Sequence, residues 1–213
     1  MSTYRLFSFW MMSALFGSVI CWPDAARAEE KNPCIAEKGW VVSDSLRGYF
    51  AGPADGVIAQ VLYRTEKDPQ VTQKNEAAVA LVSKDGKCLA VRRGYRKSGE
   101  VQYPHYVSHI QKVKLTDKWD ILTVTSNYSH GYTDSYTLVL KFDPLKKDFK
   151  QLWAGSTMEI SPRGEIYETK LVFKDVNGDG YNDLLATPAP ASAKDRPQVY
   201  LWDKVSDQFV EKK

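Results

Sequence analysis

Leu171-Val172-Phe173-Lys174-Asp175-Val176-Asn177-Gly178-Asp179-Gly180-Tyr181-Asn182-Asp183-Leu184-Leu185 decides the fold class. Its polar middle carries oxygen-bearing side chains at loop positions 1, 3, 5 and 9 (Asp175, Asn177, Asp179, Asp183) and Gly180 at position 6. Calcium takes about six to eight oxygens, and the first half of an EF-hand loop offers them at this spacing. The main-chain carbonyl of Tyr181 would supply the position-7 ligand. Gly180 permits a sharp turn that a side chain would penalise. An EF-hand also needs glutamate at position 12, where Ala186 stands. The flanks, Leu171–Phe173 and Leu184–Leu185, are short apolar runs that suit strands, not helices. The expectation is a calcium loop between two strands. The competing reading is an Asp/Asn/Gly-rich turn held by side-chain-to-backbone hydrogen bonds.

Outward from this loop the chain keeps reading as strands. Toward the N-terminus lie a strand near Trp40–Val42, then Val57–Tyr63, Ala77–Ser83 and Cys88–Val91. The last two are separated by Lys84-Asp85-Gly86-Lys87, and an Asp-Gly pair between apolar runs is a strong hairpin signal. Tyr106–Leu115 alternates apolar and polar residues, as a half-buried strand does. Ile121–Thr125, Tyr136–Phe142, Phe149–Trp153, Ile166–Phe173, Asp183–Thr187, Gln198–Trp202 and a short strand around Phe209 complete the series. Thr65–Asn75 and Arg92–Pro104 read as polar loops. Helical periodicity is hard to find, so the expected class is all-β, built of antiparallel hairpins.

An internal repeat runs through the second half. Leu140-Lys141-Phe142-Asp143, with Phe149 six residues beyond the aspartate, matches Tyr200-Leu201-Trp202-Asp203 with Phe209, at an offset of 60 residues. Asp120-Ile121-Leu122 matches Asp183-Leu184-Leu185 at an offset of 63. Residues 106–153 and 166–210 therefore read as two copies of one four-stranded unit, and repeated four-stranded units build β-propeller blades. The first copy lacks the ligand set before Asp120, so only the second is expected to hold metal.

These residues resemble a known group. Asp175–Leu184 is similar to the calcium loop of FG-GAP/VCBS-type β-propeller repeats. Tyr200-Leu201-Trp202-Asp203 with Phe209 resembles the end of exported bacterial proteins that carry one such loop on a small propeller-like fold. Some of those are periplasmic inhibitors of lysozyme or immunity proteins against cell-wall hydrolases. The resemblance implies a small, degenerate β-propeller-like fold with a repeat of about 60 residues, calcium, and a peptidoglycan hydrolase as partner. One lysozyme-inhibitor family inserts a Ser-Gly-x-Tyr loop into its target; here the order is Ser129-His130-Gly131-Tyr132, with the glycine displaced.

The N-terminus fits that setting. Arg5, an apolar run from Leu6 to Trp22 and the small-x-small site Ala26-Arg27-Ala28 form the pattern of a cleaved secretory signal peptide over residues 1–28. Residues 29–213 then form a single domain, expected to be periplasmic or secreted with no membrane anchor. A lipid anchor at Cys21 is the competing reading, but Ile20 stands where a small residue belongs. Loss of Arg5, Asp24 and Arg27 lowers the +3 of the whole chain by one. So balanced a charge argues against nucleic acid as a partner. Cys34 and Cys88 remain. Two cysteines in an exported chain pair, closing 54 residues and stabilising by about 4 kcal/mol in the chain-entropy model. Two buried thiols are the alternative.

No catalytic constellation stands out. His105 and His109 lie four apart on a strand-rich stretch, where that spacing does not converge on one metal as it would on a helix. Glu159 and Glu165 could act as an acid/base pair only if the fold joined them. Binding has more support. Asn127–Tyr136, with Tyr128, Ser129, His130, Tyr132 and Tyr136, has the tyrosine-, serine- and glycine-rich make-up of paratopes. An ordinary hairpin loop with packed tyrosines is the bland alternative. The basic, tyrosine-bearing Arg92–Pro104 stretch, with Arg92, Arg93, Tyr95, Arg96 and Tyr103, could extend the same face. The expected function is a non-enzymatic, calcium-stabilised protein-binding module, possible targets being cell-wall hydrolases; a carbohydrate- or ligand-binding envelope module is the alternative.

Overall fold

Among the described residues of the computed structural model, twelve antiparallel strands follow one another as a simple meander. The structure describes residues 32–53, 56–66, 74–93, 106–129, 133–161, 163–189 and 197–212. The proposed signal peptide, Tyr95, Tyr103, His105, His130 and Tyr132 lie outside them.

Strands β1 (Val41–Gly48), β2 (Val57–Glu66), β3 (Lys74–Val82) and β4 (Cys88–Arg93) form a four-stranded sheet in that order. The other eight are β5 (Tyr106–Thr116), β6 (Trp119–Ser129), β7 (Thr133–Asp143), β8 (Asp148–Ile160), β9 (Ile166–Lys174), β10 (Asp183–Ala189), β11 (Gln198–Asp203) and β12 (Gln208–Glu211). They form a single eight-stranded sheet, also in chain order, and both sheets are open. The all-β, antiparallel expectation holds.

Three cores explain the layering. Val57, Ala59 and Val61 on β2 and Val79 and Leu81 on β3 face Leu122, Val124, Leu138, Leu140 and Phe142 across the first. The spacing is two because successive strand side chains point to opposite faces. The intervening residues Ile121 and Val139 point the other way, into a second core with Leu184, Trp202 and Phe209. So β5–β8 is covered on both faces. The eight-stranded sheet manages this by bending at β8–β9, where only Met158–Ile160 pair with Ile166–Glu168. A register shift between Val139 and Leu140 leaves Leu152 as an extra residue on β8, so both Leu152 and Trp153 reach the second core.

The third core lies on the outer face of the first sheet, where Leu62, Ala78 and Ala80 meet Ile35 and Trp40. A disulfide between Cys34 and Cys88 staples this N-terminal segment down. Trp40 is also held between the guanidinium groups of Arg64 and Arg93, at 5.4 and 5.5 Å from its ring. Arg93 ion-pairs with Glu37 at 2.8 Å and Arg92 donates to Gln151, so the first two residues of the expected basic loop belong to β4 and are engaged.

Two turns match in detail. Asp143 accepts from the N–H groups of Leu145 and Lys146, and Asp203 from those of Val205 and Ser206. Lys147 and Asp207 both adopt positive φ, 52° and 53°. Leu145 and Val205 stand out almost fully exposed, at 94% and 95%. Lys150 Nζ reaches the carbonyls of Ser206 and Asp207 at 2.8 and 2.7 Å, tying the second turn to β8.

Candidate functional site

The loop between β9 and β10 is built around Asp175. Its Oδ1 accepts the N–H groups of Gly178 (2.7 Å) and Asp179 (3.2 Å), and its Oδ2 that of Gly180 (2.8 Å). Such wrapping needs left-handed backbone, supplied at Gly178 and Gly180 with φ of 77° and 84°. The donated N–H groups, that of Gly180 first, hold the Asp175 carboxyl below its ordinary range. Asn177 Oδ1 accepts from Asp179 N at 3.1 Å and Asp179 Oδ1 from Tyr181 N at 2.9 Å.

Asp183 closes the loop and is fully buried. Its Oδ2 accepts from Val176 N at 3.0 Å and its Oδ1 from Trp202 N at 2.8 Å, so one carboxylate ties both the start of the loop and β11 to β10. Asn182 ties the loop to the preceding unit: its N–H and its side-chain amide donate to the carbonyls of Leu115 and Lys114, each at 2.8 Å. A matching junction stands earlier in the chain. Asp120, also buried, accepts from Tyr49 N at 2.7 Å while its own N–H donates to the Tyr49 carbonyl. The Lys114 ammonium lies 2.9 Å from its other oxygen, an ion pair without hydrogen-bond geometry.

Lys204 is the residue the sequence reading missed. From the β11–β12 turn its ammonium sits 4.5 Å above the Tyr181 ring, 3.1 Å from the Asp179 carbonyl and 3.7 Å from Asp179 Oδ2. Tyr181 in turn stacks on Trp202, with rings 8° from parallel and centroids 6.2 Å apart. Nothing in the local sequence signals Lys204, because its partner is 25 residues away.

The donor set is all hard oxygen, the kind calcium takes. A carboxylate has about four lone-pair sites, so oxygens that already accept one N–H keep capacity for a cation. Among the described residues, however, no three His, Cys, Asp or Glu side chains converge on one point. The side-chain-to-backbone hydrogen bonds of the competing expectation are present around Asp175.

The expected binding stretch divides differently. Tyr128 and Ser129 lie on β6 and Tyr136 on β7, since the ladder runs on through Ser126–Tyr136, Tyr128–Asp134 and Ser129–Thr133. Strand was expected to stop at Thr125, where apolar alternation fades. Hydroxyls replace it: Thr125, Thr137 and Thr157 form a ladder across three strands with 2.9 Å contacts. The Tyr136 ring packs against the first core. The register also brings Tyr128, Asp134, Glu159 and Tyr167 into one row across four strands. The two glutamates considered as an acid/base pair both belong to this neighbourhood. Glu165 accepts the Tyr167 hydroxyl at 2.9 Å, and Glu159 stands opposite Tyr167 in register. Those two carboxylates raise the Tyr167 hydroxyl above its ordinary value, the Glu165 hydrogen bond acting most strongly. Tyr167 and Ile166 are half exposed, at 51% and 53%. His109 is exposed on β5.

Among the described residues no helix is long and apolar enough to cross a membrane. Comparison with protein-family models, with curated proteins and with solved structures finds no match to this chain.

Proposed function

We propose that this is an exported protein-binding module, braced by calcium, that blocks a peptidoglycan hydrolase and carries out no reaction of its own. The observation that carries the reading is the row Tyr128–Asp134–Glu159–Tyr167. The strand register sets two tyrosines, an aspartate and a glutamate in line across four strands at one end of the eight-stranded sheet, beside the exposed Ile166. Rigid aromatic groups with polar neighbours are what protein interfaces use as anchors. Because the strands are antiparallel, the 175–183 loop falls at the opposite end. Calcium there would brace the β9–β12 layer without touching the docking end. Asp175, Asn177, Asp179, the Tyr181 carbonyl and Asp183 would hold the ion.

The same reading takes β5–β8 and β9–β12 as copies of one unit in a small propeller-like arrangement, with β1–β4 as a third. The paired turns at Asp143 and Asp203, with left-handed Lys147 and Asp207, support it. So do Asp120 and Asp183, buried aspartates at matching places in the two copies. The Cys34–Cys88 bond is consistent with an oxidising compartment.

A pull-down from bacterial envelope extracts tests the binding. The wild-type chain is expected to retain a peptidoglycan hydrolase, and the Tyr128→Ala/Tyr167→Ala variant to lose it. Recovery of glycan alone, with no hydrolase, would favour the carbohydrate-binding alternative and sink the inhibitor reading.

A further inference from the structure

A groove of about 470 Å³ opens between the β3–β4 turn and the β7–β8 turn. Its floor is apolar, with Val57 and Phe142 buried in the first core and Leu89 partly so. Its rim carries Lys84, Lys87 and Lys147, all exposed. Among the described residues none of these ammonium groups has a carboxylate partner. Among the described lining residues Asp85 is the one carboxylate against three lysines, an excess of positive charge.

Both walls are fixed by local hydrogen bonds. In the first turn Ser83 N donates to the Lys87 carbonyl at 2.9 Å, Lys87 N donates to Ser83 Oγ at 3.0 Å, and Gly86 N donates to the Ser83 carbonyl at 3.0 Å. Cys88, at the end of that turn, is bonded to Cys34. In the second turn Asp143 holds the N–H groups of Leu145 and Lys146. A concave site of this size, pre-formed, mostly apolar and with a few charged groups at its mouth is what small-molecule binding requires.

We propose that this groove binds a small amphiphilic anion, a carboxylate or phosphate head on an apolar body of medium-chain acyl size. The head would be held by Lys84, Lys87 and Lys147, and the chain would cover Val57, Leu89 and Phe142. A neutral apolar molecule would leave three ammonium groups unanswered, and a small hydrophilic anion would leave the floor wet. Two sources share this chemistry, a free fatty-acid-like carboxylate and a phosphate-headed lipid fragment. This site is independent of the docking end proposed above, because its turns lie at the same end of the sheets as the 175–183 loop.

The test is a titration of the mature chain with decanoate, decyl phosphate, decanol and acetate, followed by calorimetry and by backbone amide chemical shifts. Saturable one-to-one binding of decanoate or decyl phosphate is expected, with shifts confined to residues 51, 57, 83–89 and 142–147. The tighter of the two identifies the head group. Decanol and acetate should bind at least tenfold more weakly. The Lys84→Gln/Lys87→Gln/Lys147→Asn variant should lose at least tenfold in affinity at an unchanged melting temperature; asparagine keeps the left-handed position at 147 tolerable. Should that variant melt early, the wild-type shift map and the decanol comparison still decide. Absence of saturable binding by both anions, shifts centred elsewhere, or decanol as tight as decanoate would overturn the proposal.

Discussion

Trp202 donates its backbone N–H to Oδ1 of Asp183 across 2.8 Å, inside a fully buried site. The other oxygen of the same carboxylate takes the N–H of Val176 at 3.0 Å. One side chain thus supports the strand order β10–β11 and the closure of the 175–183 loop. Asp183→Ala strands two N–H groups and is expected to cost about 3 kcal/mol, since each unsatisfied buried donor costs about 1–3 kcal/mol. Asp183→Asn keeps one acceptor and should cost less. Urea denaturation of the two variants checks the order.

Gly48 tests the earlier junction. A methyl group there would lie 2.7 Å from the Phe50 ring and 2.9 Å from Asp120 Oδ2, with Tyr49, the hydrogen-bond partner of Asp120, next in the chain. Gly48→Ala is expected to destabilise by about 1–3 kcal/mol through overpacking. An unchanged thermal midpoint would mean that Phe50 can swing aside without loss.

The strand plan was legible because short apolar runs between polar or turn residues mark buried strands, as in Val57–Val61 and Leu138–Phe142. The hairpin at Asp85-Gly86 was legible from turn chemistry, and Gly86 does take positive φ, 75°. Strand ends were not, because Thr125 and Thr137 stabilise them through hydroxyls that hydrophobic patterning does not weigh. The layering was hidden too. It depends on the bend at β8–β9, and Ser161–Glu165 is an ordinary short turn. At the candidate site the side chains of the loop were readable from spacing, whereas Lys204 and the contacts from Asn182 to β5 arise only from the fold.

The β11–β12 turn should respond to acid. The Ser206 hydroxyl first, then the Val205 N–H, hold the Asp203 carboxyl below its ordinary 3.8. A folded-state value below the unfolded one stabilises the fold above pH 3.8, and that contribution fades as pH falls through the lowered value. Ser206→Ala is expected to raise the Asp203 carboxyl toward 3.8, shifting the fading to higher pH. Carbon-detected NMR titration of Asp203 in both proteins measures it.

Calcium should raise the melting temperature of the wild-type chain. Binding to the folded state alone stabilises by about 2.7 kcal/mol at a hundredfold excess over Kd. Asp179→Ala is expected to remove the response. Lys204→Gln should strengthen it, because the ammonium 3.7 Å from Asp179 Oδ2 competes with the ion. A wild-type melt that is the same in calcium and in chelator would refute the metal claim.

A titration of lysozyme-type muramidases with residues 29–213 tests inhibition through the tyrosine row. Activity of at least one muramidase is expected to fall to zero at a one-to-one ratio, and to persist with the Tyr128→Ala/Tyr167→Ala variant at the same melting temperature. Full activity of every muramidase at a large excess of the wild-type chain, or equal inhibition by the variant, would contradict it.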